Sequence, residues 1–375
     1  MAGNGAVQSA VTSQPIDIAA ADLLSLVARI FTVSGLREAD ANRVAEGLVN
    51  ADLEGLPSHG VMLAEMYVDR LRAGSVSTKS AGTIISEHGG AVMLDGGHAL
   101  GHLIGDQAMG LAVARAREHG MGITAVRHAF HFGAAAPYAL QAAKKDCVGI
   151  ALCNTRPLMP APGGAERVVG NNPIAVAVPI DGPIPLVLDM ATSEAAMGKI
   201  RMAEKAGRAI PGSWAVQNDG SPTTDPKQAI AGMLLPAAGP KGFGLALMID
   251  LMCGLLSGGS FGGGVKPLYG DPAVPYDCSH LFIAIDVGHF CDAAWFRAQA
   301  ASAAAHIRAG SRAPGISALL LPGEPEWRKK EAAQGRVRLD PIIAASLMKL
   351  AGSLNISAEP LHGALATGGN VNAKA

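Results

Sequence analysis

Apolar residues recur at helical spacing along much of the chain, and this pattern predicts a series of helices. Near the start, Leu23, Leu24, Val27, Ile30 and Phe31 fall on one face of a helix that begins at about Asp17. The further helices that this spacing predicts cover residues 38–53, 62–72, 103–118, 134–144, 239–257, 292–309 and 341–354. A charged helix is also expected at the end of a turn over residues 319–330.

Shorter apolar runs, bounded by glycine, proline and asparagine, predict strands between these helices. They are a hairpin over residues 83–94 and strands over residues 122–126, 148–153, 174–179, 186–188 and 281–286. Residues 1–15 and those after Ser357 are expected to be tails. The order of elements indicates an α/β or α+β protein with a sheet-rich middle region.

The composition narrows the class of protein. The 375 residues are 49% hydrophobic and 16% charged, which favours a folded chain with a large core over a disordered one. This length exceeds what one core usually serves, so we expect at least two domains. The 30 basic and 31 acidic residues nearly cancel, which argues against a nucleic-acid partner. Low charge and high apolar content favour an oligomer.

Cellular location follows from the cysteines and from the N-terminus. The five cysteines form no CxxC pair and are odd in number, which favours a reducing compartment. The first residues lack the basic start and apolar core of a secretory signal. The longest apolar run, residues 245–256, is too short to span a bilayer and contains Asp250. We therefore expect a cytoplasmic protein without a membrane partner.

Familiar nucleotide and metal motifs are absent from the sequence. The nearest match to a Rossmann glycine motif, Gly120-Met-Gly122-Ile-Thr-Ala125, follows a predicted helix and precedes a strand, the reverse of the required order. Lys241 lacks the glycine spacing of a Walker A loop. The histidine pairs 98/102 and 128/131 have no third ligand at a fixed spacing, so no metal site is predicted.

Asp189 is the strongest candidate for a functional carboxylate. It ends an apolar predicted strand, where a charge is costly unless something pairs with it. The same stretch, residues 163–199, places the hydroxyls of Thr192 and Ser193 at the start of a predicted helix, which suits an anionic group such as a phosphate. An ordinary strand–turn–helix connection capped by Thr or Ser has the same pattern, so both interpretations stay open.

Two histidines lie where a loop meets a predicted helix. His59, between Ser58 and Gly60, can exchange a proton near neutral pH, or it can be an exposed residue beside a capping serine. His131 precedes Gly133, which would let a ligand approach the backbone, although a histidine held inside a turn is equally consistent. Lys241 can hold a phosphate or be a solvated charge.

Eight short segments in series carry a resemblance that covers nearly the whole chain. They are Asp52-Leu-Glu-Gly55-Leu-Pro-Ser58-His59-Gly60, His131-Phe-Gly133, Gly163-Gly164-Ala165-Glu166 with Gly170-Asn171-Asn172-Pro173, Asp189-Met-Ala-Thr-Ser193 through Gly198-Lys199, Ile210-Pro211-Gly-Ser-Trp214, Lys241-Gly-Phe-Gly244-Leu-Ala, His280-Leu-Phe-Ile-Ala-Ile-Asp286 and Pro322-Gly323-Glu324. In this order they resemble the malate/L-lactate dehydrogenase family of the second, non-Rossmann type. That family includes ureidoglycolate, sulfolactate and diketogulonate dehydrogenases and a piperideine-2-carboxylate reductase.

The resemblance implies an oxidoreductase that uses NAD or NADP to move a hydride to or from a small 2-hydroxy or 2-oxo acid or a cyclic imine. It implies a non-Rossmann NAD(P)-binding domain over residues 121–289 with a largely antiparallel sheet. A discontinuous helical domain would cover residues 16–120 and 290–357, with tails at 1–15 and 358–375. The family also implies a homodimer.

The resemblance also assigns roles to residues. His59 would be the proton donor and acceptor, Ser58 its hydrogen-bond partner, and Asp189 a polar group beside the nicotinamide. The residues implied to bind the cofactor are His131, Phe132, Gly133, Ala134, Asn154, Asp189, Met190, Ala191, Lys241, Gly323 and Glu324. The substrate contacts implied are Glu54, Thr155 and Arg156.

Two departures from the family pattern concern the substrate. Glu54 and Leu63 stand where many relatives carry arginines that can clamp a carboxylate. We expect Arg156 to take over that role, while Glu54 would favour an imine or amino nitrogen. These departures put malate and lactate in doubt. The sequence leaves open whether Arg328, Lys329 and Lys330 contact a 2′-phosphate or form a solvated face.

Two other classes of function remain as alternatives. A catalytically inactive binding protein could keep the dehydrogenase fold, although retention of Ser58, His59, Asp189 and Lys241 argues against it. A histidine-centred metallohydrolase is disfavoured because the spacing forces no ligand set.

Overall fold

The computed structural model describes residues 15–361. The first and last stretches of the predicted tails, residues 1–14 and 362–375, lie outside the described residues. The helices are α1 (Ala20–Val33), α2 (Glu38–Leu53), α3 (Ala64–Ala73), α4 (Gly101–His119), α5 (Ala136–Ala143), α6 (Met197–Lys205), α7 (Pro226–Ala231), α8 (Pro240–Ser257), α9 (Ala293–Arg308), α10 (Glu324–Ala333) and α11 (Pro341–Ser353).

The strands alternate with these helices. They are β1 (Ile16–Ala19), β2 (Thr83–His88), β3 (Ala91–Asp95), β4 (Met121–Ala129), β5 (Cys147–Cys153), β6 (Ile174–Val178), β7 (Leu186–Met190), β8 (Ala215–Val216), β9 (Met233–Leu234), β10 (Cys278–Asp286) and β11 (Arg336–Leu339). The predicted mixture of helices and short strands is confirmed, and the predicted hairpin over residues 83–94 turns at Gly89 and Gly90.

Two compact units divide the chain. The first, here called the helical unit, contains residues 15–69 and 328–361 of the described chain. The second, here called the sheet unit, contains residues 70–327. The predicted domain bounds placed residues 70–120 and 290–327 with the helices instead. Part of the difference arises because β2 and β3 belong to the large sheet and α4 packs against β4 and β10.

The helical unit joins the start of the described chain to its C-terminal region. β1 pairs antiparallel with β11, with Ile16 opposite Leu339. This pairing explains why the first helix begins at Ala20 rather than at Asp17, as the periodicity predicted. Four residues of the predicted apolar face of α1, Leu23, Val27, Ile30 and Phe31, are buried as expected, whereas Leu24 is half-buried. α1 packs against α2, whose predicted bounds are confirmed.

The sheet unit is built on a seven-stranded sheet with the order β2-β3-β4-β10-β5-β6-β7. Each neighbouring pair is antiparallel except β3 and β4, which are parallel and joined by α4. β10, the last of these strands in sequence, lies in the centre between β4 and β5. The expectation of a largely antiparallel sheet is therefore confirmed.

Helices cover both faces of this sheet. α4 and α5 pack on the sheet, and Gly122 and Gly149 let the helix backbones come so close that a Cβ at either position would meet a helix carbonyl. α8 packs on the sheet through Ile249 and Cys253, which join a cluster with Ala125, Leu152 and Leu281. The core of the sheet unit thus lies on both sides of the central strands.

The sequence predicts a buried helix over residues 239–257, and the corresponding helix α8 departs from this prediction. Only one face is buried, because large apolar side chains are exposed along the other; they are Leu245, Met248, Met252, Leu255 and Leu256. The helix is also longer than the apolar run of residues 245–256, which by itself is too short to span a bilayer. At 18 residues it is the one helix of the described chain that is long and apolar enough to cross a membrane, by length and composition alone.

Candidate active site

A tight turn after α2 presents His59. The turn passes through two single-turn 3-10 helices, Pro57–His59 and Val61–Leu63. The carboxylate of Asp52 accepts a hydrogen bond from the Val61 N–H at 2.8 Å and so ties the end of α2 to the far side of the turn. Gly60 lies against that carboxylate, and a Cβ there would overlap it. The glycine of the Ser58-His59-Gly60 motif is therefore a requirement of packing.

The environment of His59 suits proton transfer. The Ser58 hydroxyl lies 3.0 Å from His59 Nδ1, which orients the ring. Burial lowers the pKa of His59 from its ordinary value because it disfavours the charged imidazolium. The side chain is nevertheless only half-buried, so a small ligand can reach it. A crowded yet accessible imidazole is typical of a general acid or base.

Asp52 is a titrating group that the sequence did not single out. Desolvation raises its pKa to about 7, although the Val61 N–H opposes that shift. The carboxyl holds its proton more tightly in the folded protein than in the unfolded chain. Its contribution to stability is therefore complete below its ordinary pKa of 3.8 and is lost as the pH rises through about 7.

We expect Asp52→Asn to remove this dependence on pH. The amide oxygen can still accept from Val61, but it cannot ionise. The difference between the midpoints of thermal unfolding measured at about pH 5 and about pH 8 should shrink in the variant, mainly because the variant is more stable at the higher pH. Asp22→Asn, an exposed position on α1, is the matched control. An equal response to pH in wild type and Asp52→Asn would contradict the assignment.

Glu54, an implied substrate contact, lies at the end of α2 and has a basic neighbour. Its carboxylate is 3.7 Å from Lys330 Nζ. The adjacent Lys329 side chain lies against Gly55, which has a left-handed φ of 74°. Glu54 therefore has an ion-pair partner within the helical unit. That partner, Lys330, is one of the three basic residues that could contact a 2′-phosphate.

In the sheet unit, Asp189 lies within β7 and caps α5. Its Oδ2 accepts hydrogen bonds from the N–H groups of Ala135 at 3.0 Å and Ala136 at 2.7 Å. It thereby fixes the turn formed by His131 to Gly133. Desolvation by surrounding protein raises the pKa of Asp189, and these N–H donors oppose the rise. The side chain is nevertheless exposed to solvent.

The prediction that Thr192 and Ser193 begin a helix is wrong. The following helix, α6, begins only at Met197 and has no side-chain cap. Thr192 is fully buried, and the Ser193 hydroxyl donates to the Ala195 carbonyl at 3.0 Å. The Ser193 hydroxyl therefore serves the turn itself, whereas the Thr192 hydroxyl has no hydrogen-bond partner among the described residues. The capped helix is α5, which precedes β7 in sequence.

Asn154 is locked in place rather than open to a ligand. Its amide donates to Asp250 Oδ1 at 3.0 Å and to the Ser260 carbonyl at 2.8 Å, and its Oδ1 accepts from the Ser279 N–H at 2.7 Å. The side chain is fully buried. Asn154 therefore positions the segment that follows it, and Asp250, which interrupts the apolar run of α8, is its buried partner.

Thr155 and Arg156 follow this anchor. The Thr155 N–H donates to Asn172 Oδ1 at 2.7 Å, and its hydroxyl donates to Asn171 Oδ1 at 3.0 Å. The Asn171-Asn172 pair of the motif thus shapes the chain around Thr155. It leaves Arg156 at the end of a rigid segment.

Arg156 belongs to a cationic cluster, defined here as Arg156, Arg167 and Arg201. Burial lowers the pKa of Arg156, and the charges of Arg167 and Arg201 lower it further, while Tyr276 opposes the shift. The side chain is half-buried, and within the described residues its guanidinium has no ion pair. A cluster of this kind attracts an anionic group such as a carboxylate or a phosphate.

Two implied cofactor residues have buried side chains that are already engaged. Phe132 stacks on Tyr138 at 5.0 Å and on His280 at 4.6 Å. Glu324 is fully buried and pairs with Arg308 at 2.9 Å. Gly323 lies so close to Val187 that a Cβ would overlap it. These residues can offer backbone groups to a ligand, but the side chains of Phe132 and Glu324 maintain the fold.

The other implied cofactor residues are more accessible. Lys241 is exposed in the first turn of α8, where the positive end of the helix dipole also favours an anion. The half-buried members are His131, Ala134, Met190 and Ala191. Gly133 has a left-handed φ of 76°, which permits the bend that brings Ala135 and Ala136 to Asp189. The groups left for chemistry in the sheet unit are therefore Asp189, Arg156 and Lys241.

Comparisons with known proteins place this geometry in context. Residues 18–348 match the family model described as malate/L-lactate dehydrogenase. The chain is 37% identical over 311 residues to a malate dehydrogenase of Pyrococcus abyssi, an alignment that covers 81% of this chain and 85% of the relative. It is 34% identical over 300 residues to a ureidoglycolate dehydrogenase (NAD(+)) of Escherichia coli O157:H7, covering 80% and 85%.

The chain is also similar to sulfolactate dehydrogenases, in sequence and in structure. A (2R)-3-sulfolactate dehydrogenase (NADP(+)) of Chromohalobacter salexigens is 33% identical over 303 residues, covering 81% of this chain and 90% of the relative. Among solved structures, the sulfolactate dehydrogenase of Methanocaldococcus jannaschii matches with a TM-score of 0.87 at 34% identity. That match covers 92% of this chain and 99% of the other.

Proposed function

The chain belongs to the malate/L-lactate dehydrogenase family, and from that premise we propose how its own residues carry out the reaction. It is an NAD(P)-dependent oxidoreductase that acts on the CH–OH group of small hydroxy acids. We propose that His59 donates and accepts the proton and that Arg156 binds the substrate carboxylate. The observation that carries this proposal is the accessible His59 imidazole, whose pKa is lowered by burial and whose Nδ1 meets Ser58.

The proton path follows from this arrangement. When bound, the nicotinamide supplies the hydride for reduction and accepts it in oxidation. During reduction the carbonyl oxygen gains negative charge as its carbon takes the hydride, and His59 Nε2 supplies the proton that neutralises it. During oxidation neutral His59 takes the hydroxyl proton. The contact between Ser58 and Nδ1 holds the ring so that Nε2 is the atom that exchanges the proton.

Residues of the sheet unit fit a nicotinamide dinucleotide. The arginine cluster and Lys241 at the start of α8 present positive charge, which suits phosphates and carboxylates. We propose that residues 121–289 hold the cofactor, with Asp189 beside the nicotinamide and its ribose. Ala134, Met190, Ala191 and the backbone at Phe132, Asn154, Gly323 and Glu324 would line its site.

The substrate itself is proposed to be a 2-oxo or 2-hydroxy acid or a cyclic imino acid. We expect wild type to oxidise NADH or NADPH with members of a panel of 2-oxo acids and cyclic imines that carry a carboxylate. Arg156→Ala should raise KM for the substrate at least about tenfold with little change in kcat, because a charge-assisted contact made before and during the reaction is lost.

A second arginine variant serves as the control for Arg156→Ala. Arg208→Ala, at an exposed position after α6, should leave KM unchanged. An Arg156→Ala enzyme with unchanged substrate KM but weaker binding of NADH or NADPH would show that Arg156 binds the cofactor phosphates. That result would overturn its assignment to the substrate.

We also propose a homodimer in the cytoplasm. The exposed apolar face of α8 recurs every three or four residues, from Leu245 to Leu256, and would be covered by a second copy. All five cysteines are free thiols, which fits a reducing compartment. The mass of the protein in solution tests the dimer.

A further inference from the structure

A second cluster of reactive side chains lies beneath the candidate cofactor segments. Cys153 ends β5, while Cys278 and His280 begin β10, the central strand of the sheet. In the antiparallel pairing of these strands, Cys153 lies directly opposite His280. The three side chains are 0–3% exposed, and all belong to the sheet unit.

The geometry of this cluster matches a set of metal ligands. The sulfur atoms of Cys153 and Cys278 and a ring nitrogen of His280 all lie within 4.8 Å of one another. Cys278 Sγ is 3.3 Å from His280 Nε2. In a tetrahedral zinc site, bond lengths of 2.0–2.3 Å would put sulfur and nitrogen about 3.6 Å apart. Only small movements would be needed to surround an ion.

Packing holds the histidine ring in place. Phe132 stacks on His280 with ring centres 4.6 Å apart, and Phe282 meets it edge-on at 5.9 Å. The other ring nitrogen, Nδ1, is buried and has no hydrogen-bond partner among the described residues. The ring is therefore oriented by aromatic contacts, with Nε2 facing the two thiols.

We propose that Cys153, Cys278 and His280 bind a thiophilic ion, Zn²⁺ or Cu⁺, as a structural site of the sheet unit. Two thiolates and an imidazole are the donor set that such ions prefer over Mg²⁺ or Ca²⁺. Binding forms two metal–sulfur bonds and one metal–nitrogen bond and releases the protons of the thiols that were still protonated. Zn²⁺ would complete its coordination with the Asn154 carbonyl oxygen, which lies 3.0 Å from Cys153 Sγ.

The ion would join β5 to β10 next to Asn154 and Phe132, which position the segments proposed to hold the cofactor. Its expected effect is on stability rather than on the chemical step.

The site is tested on reduced, full-length protein by titration with Co²⁺, Zn²⁺ and Cu⁺. We expect one equivalent of Co²⁺ to give the visible and near-ultraviolet bands of tetrahedral cobalt–thiolate coordination, and Zn²⁺ to displace it. The more tightly bound of Zn²⁺ and Cu⁺, added at about 100 times its Kd, should raise the midpoint of thermal unfolding by several degrees. Comparing the two ions shows which of them the site binds more tightly.

Variants locate the ion. Cys278→Ser should abolish the cobalt–thiolate bands and the thermal shift, whereas Cys147→Ser, at a buried cysteine of the same strand β5, should keep both. Folded wild type that shows no such bands and no thermal shift would overturn the proposal even if Cys278→Ser fails to fold. A Cys153–Cys278 disulfide in protein isolated under reducing conditions would also overturn it.

Discussion

His59→Gln should lower kcat/KM for reduction of a 2-oxo acid by about 10²–10⁴-fold, the range expected when a positioned general acid is lost. Glutamine keeps a polar side chain that can meet Ser58, but it cannot deliver a proton near neutral pH. Because the candidate cofactor residues belong to the sheet unit, the Kd of NADH or NADPH should change little. Steady-state kinetics and fluorescence titration with the reduced cofactor measure the two quantities separately.

The matched control for His59 is its neighbour. Ser58→Ala keeps the imidazole and removes only the hydroxyl that lies 3.0 Å from Nδ1, so it should cost much less than His59→Gln. A His59→Gln enzyme within a few-fold of wild type would show that another group donates the proton. Equal losses in both variants would show that the hydroxyl is as necessary as the ring.

Arg70→Met should give the largest loss of stability among the single substitutions considered. The guanidinium is fully buried and donates to the backbone carbonyls of Pro267, Leu268 and Val274. Methionine fills similar space but leaves three carbonyls without these donors, which should lower the free energy of unfolding by about 3 kcal/mol. The midpoint of thermal unfolding should fall by about 6 °C or more.

The control for Arg70 lies on the same helix. Arg72 is exposed on α3, so Arg72→Met should leave the midpoint nearly unchanged. The loop held by Arg70 carries Tyr276, which lies near enough to Arg156 to influence its pKa. A thermal midpoint of Arg70→Met equal to that of Arg72→Met would mean that water or a rearranged loop replaces the guanidinium.

Local patterns predicted most of the regular elements. The apolar spacing of α2 and the hairpin formed by β2 and β3 depend on neighbouring residues, and both were predicted correctly. β1 and β11 were missed because each is short and forms only by pairing with a strand from the opposite end of the described chain. The helix α1 begins at Ala20 rather than at Asp17 for the same reason, because residues 16–19 form β1.

The candidate site shows the same division between local and long-range information. The motif around His59 is contiguous in sequence and could be found from residue types alone. Asn154 was predicted as a cofactor contact, yet its partners Asp250, Ser260 and Ser279 come from distant segments that no spacing connects. The ligand set of Cys153, Cys278 and His280 likewise exists only because β10 pairs with β5.

The pH dependence of kcat/KM in wild type and His59→Gln tests the central claim, that His59 carries the proton, most directly. For reduction, wild-type activity should fall tenfold per pH unit above the pKa of His59, which burial places below 6.5, because the imidazolium is the donor. For oxidation, activity should rise to a plateau above that pKa. His59→Gln should lose this ionisation in both directions. The same pH profile in wild type and variant would contradict the account.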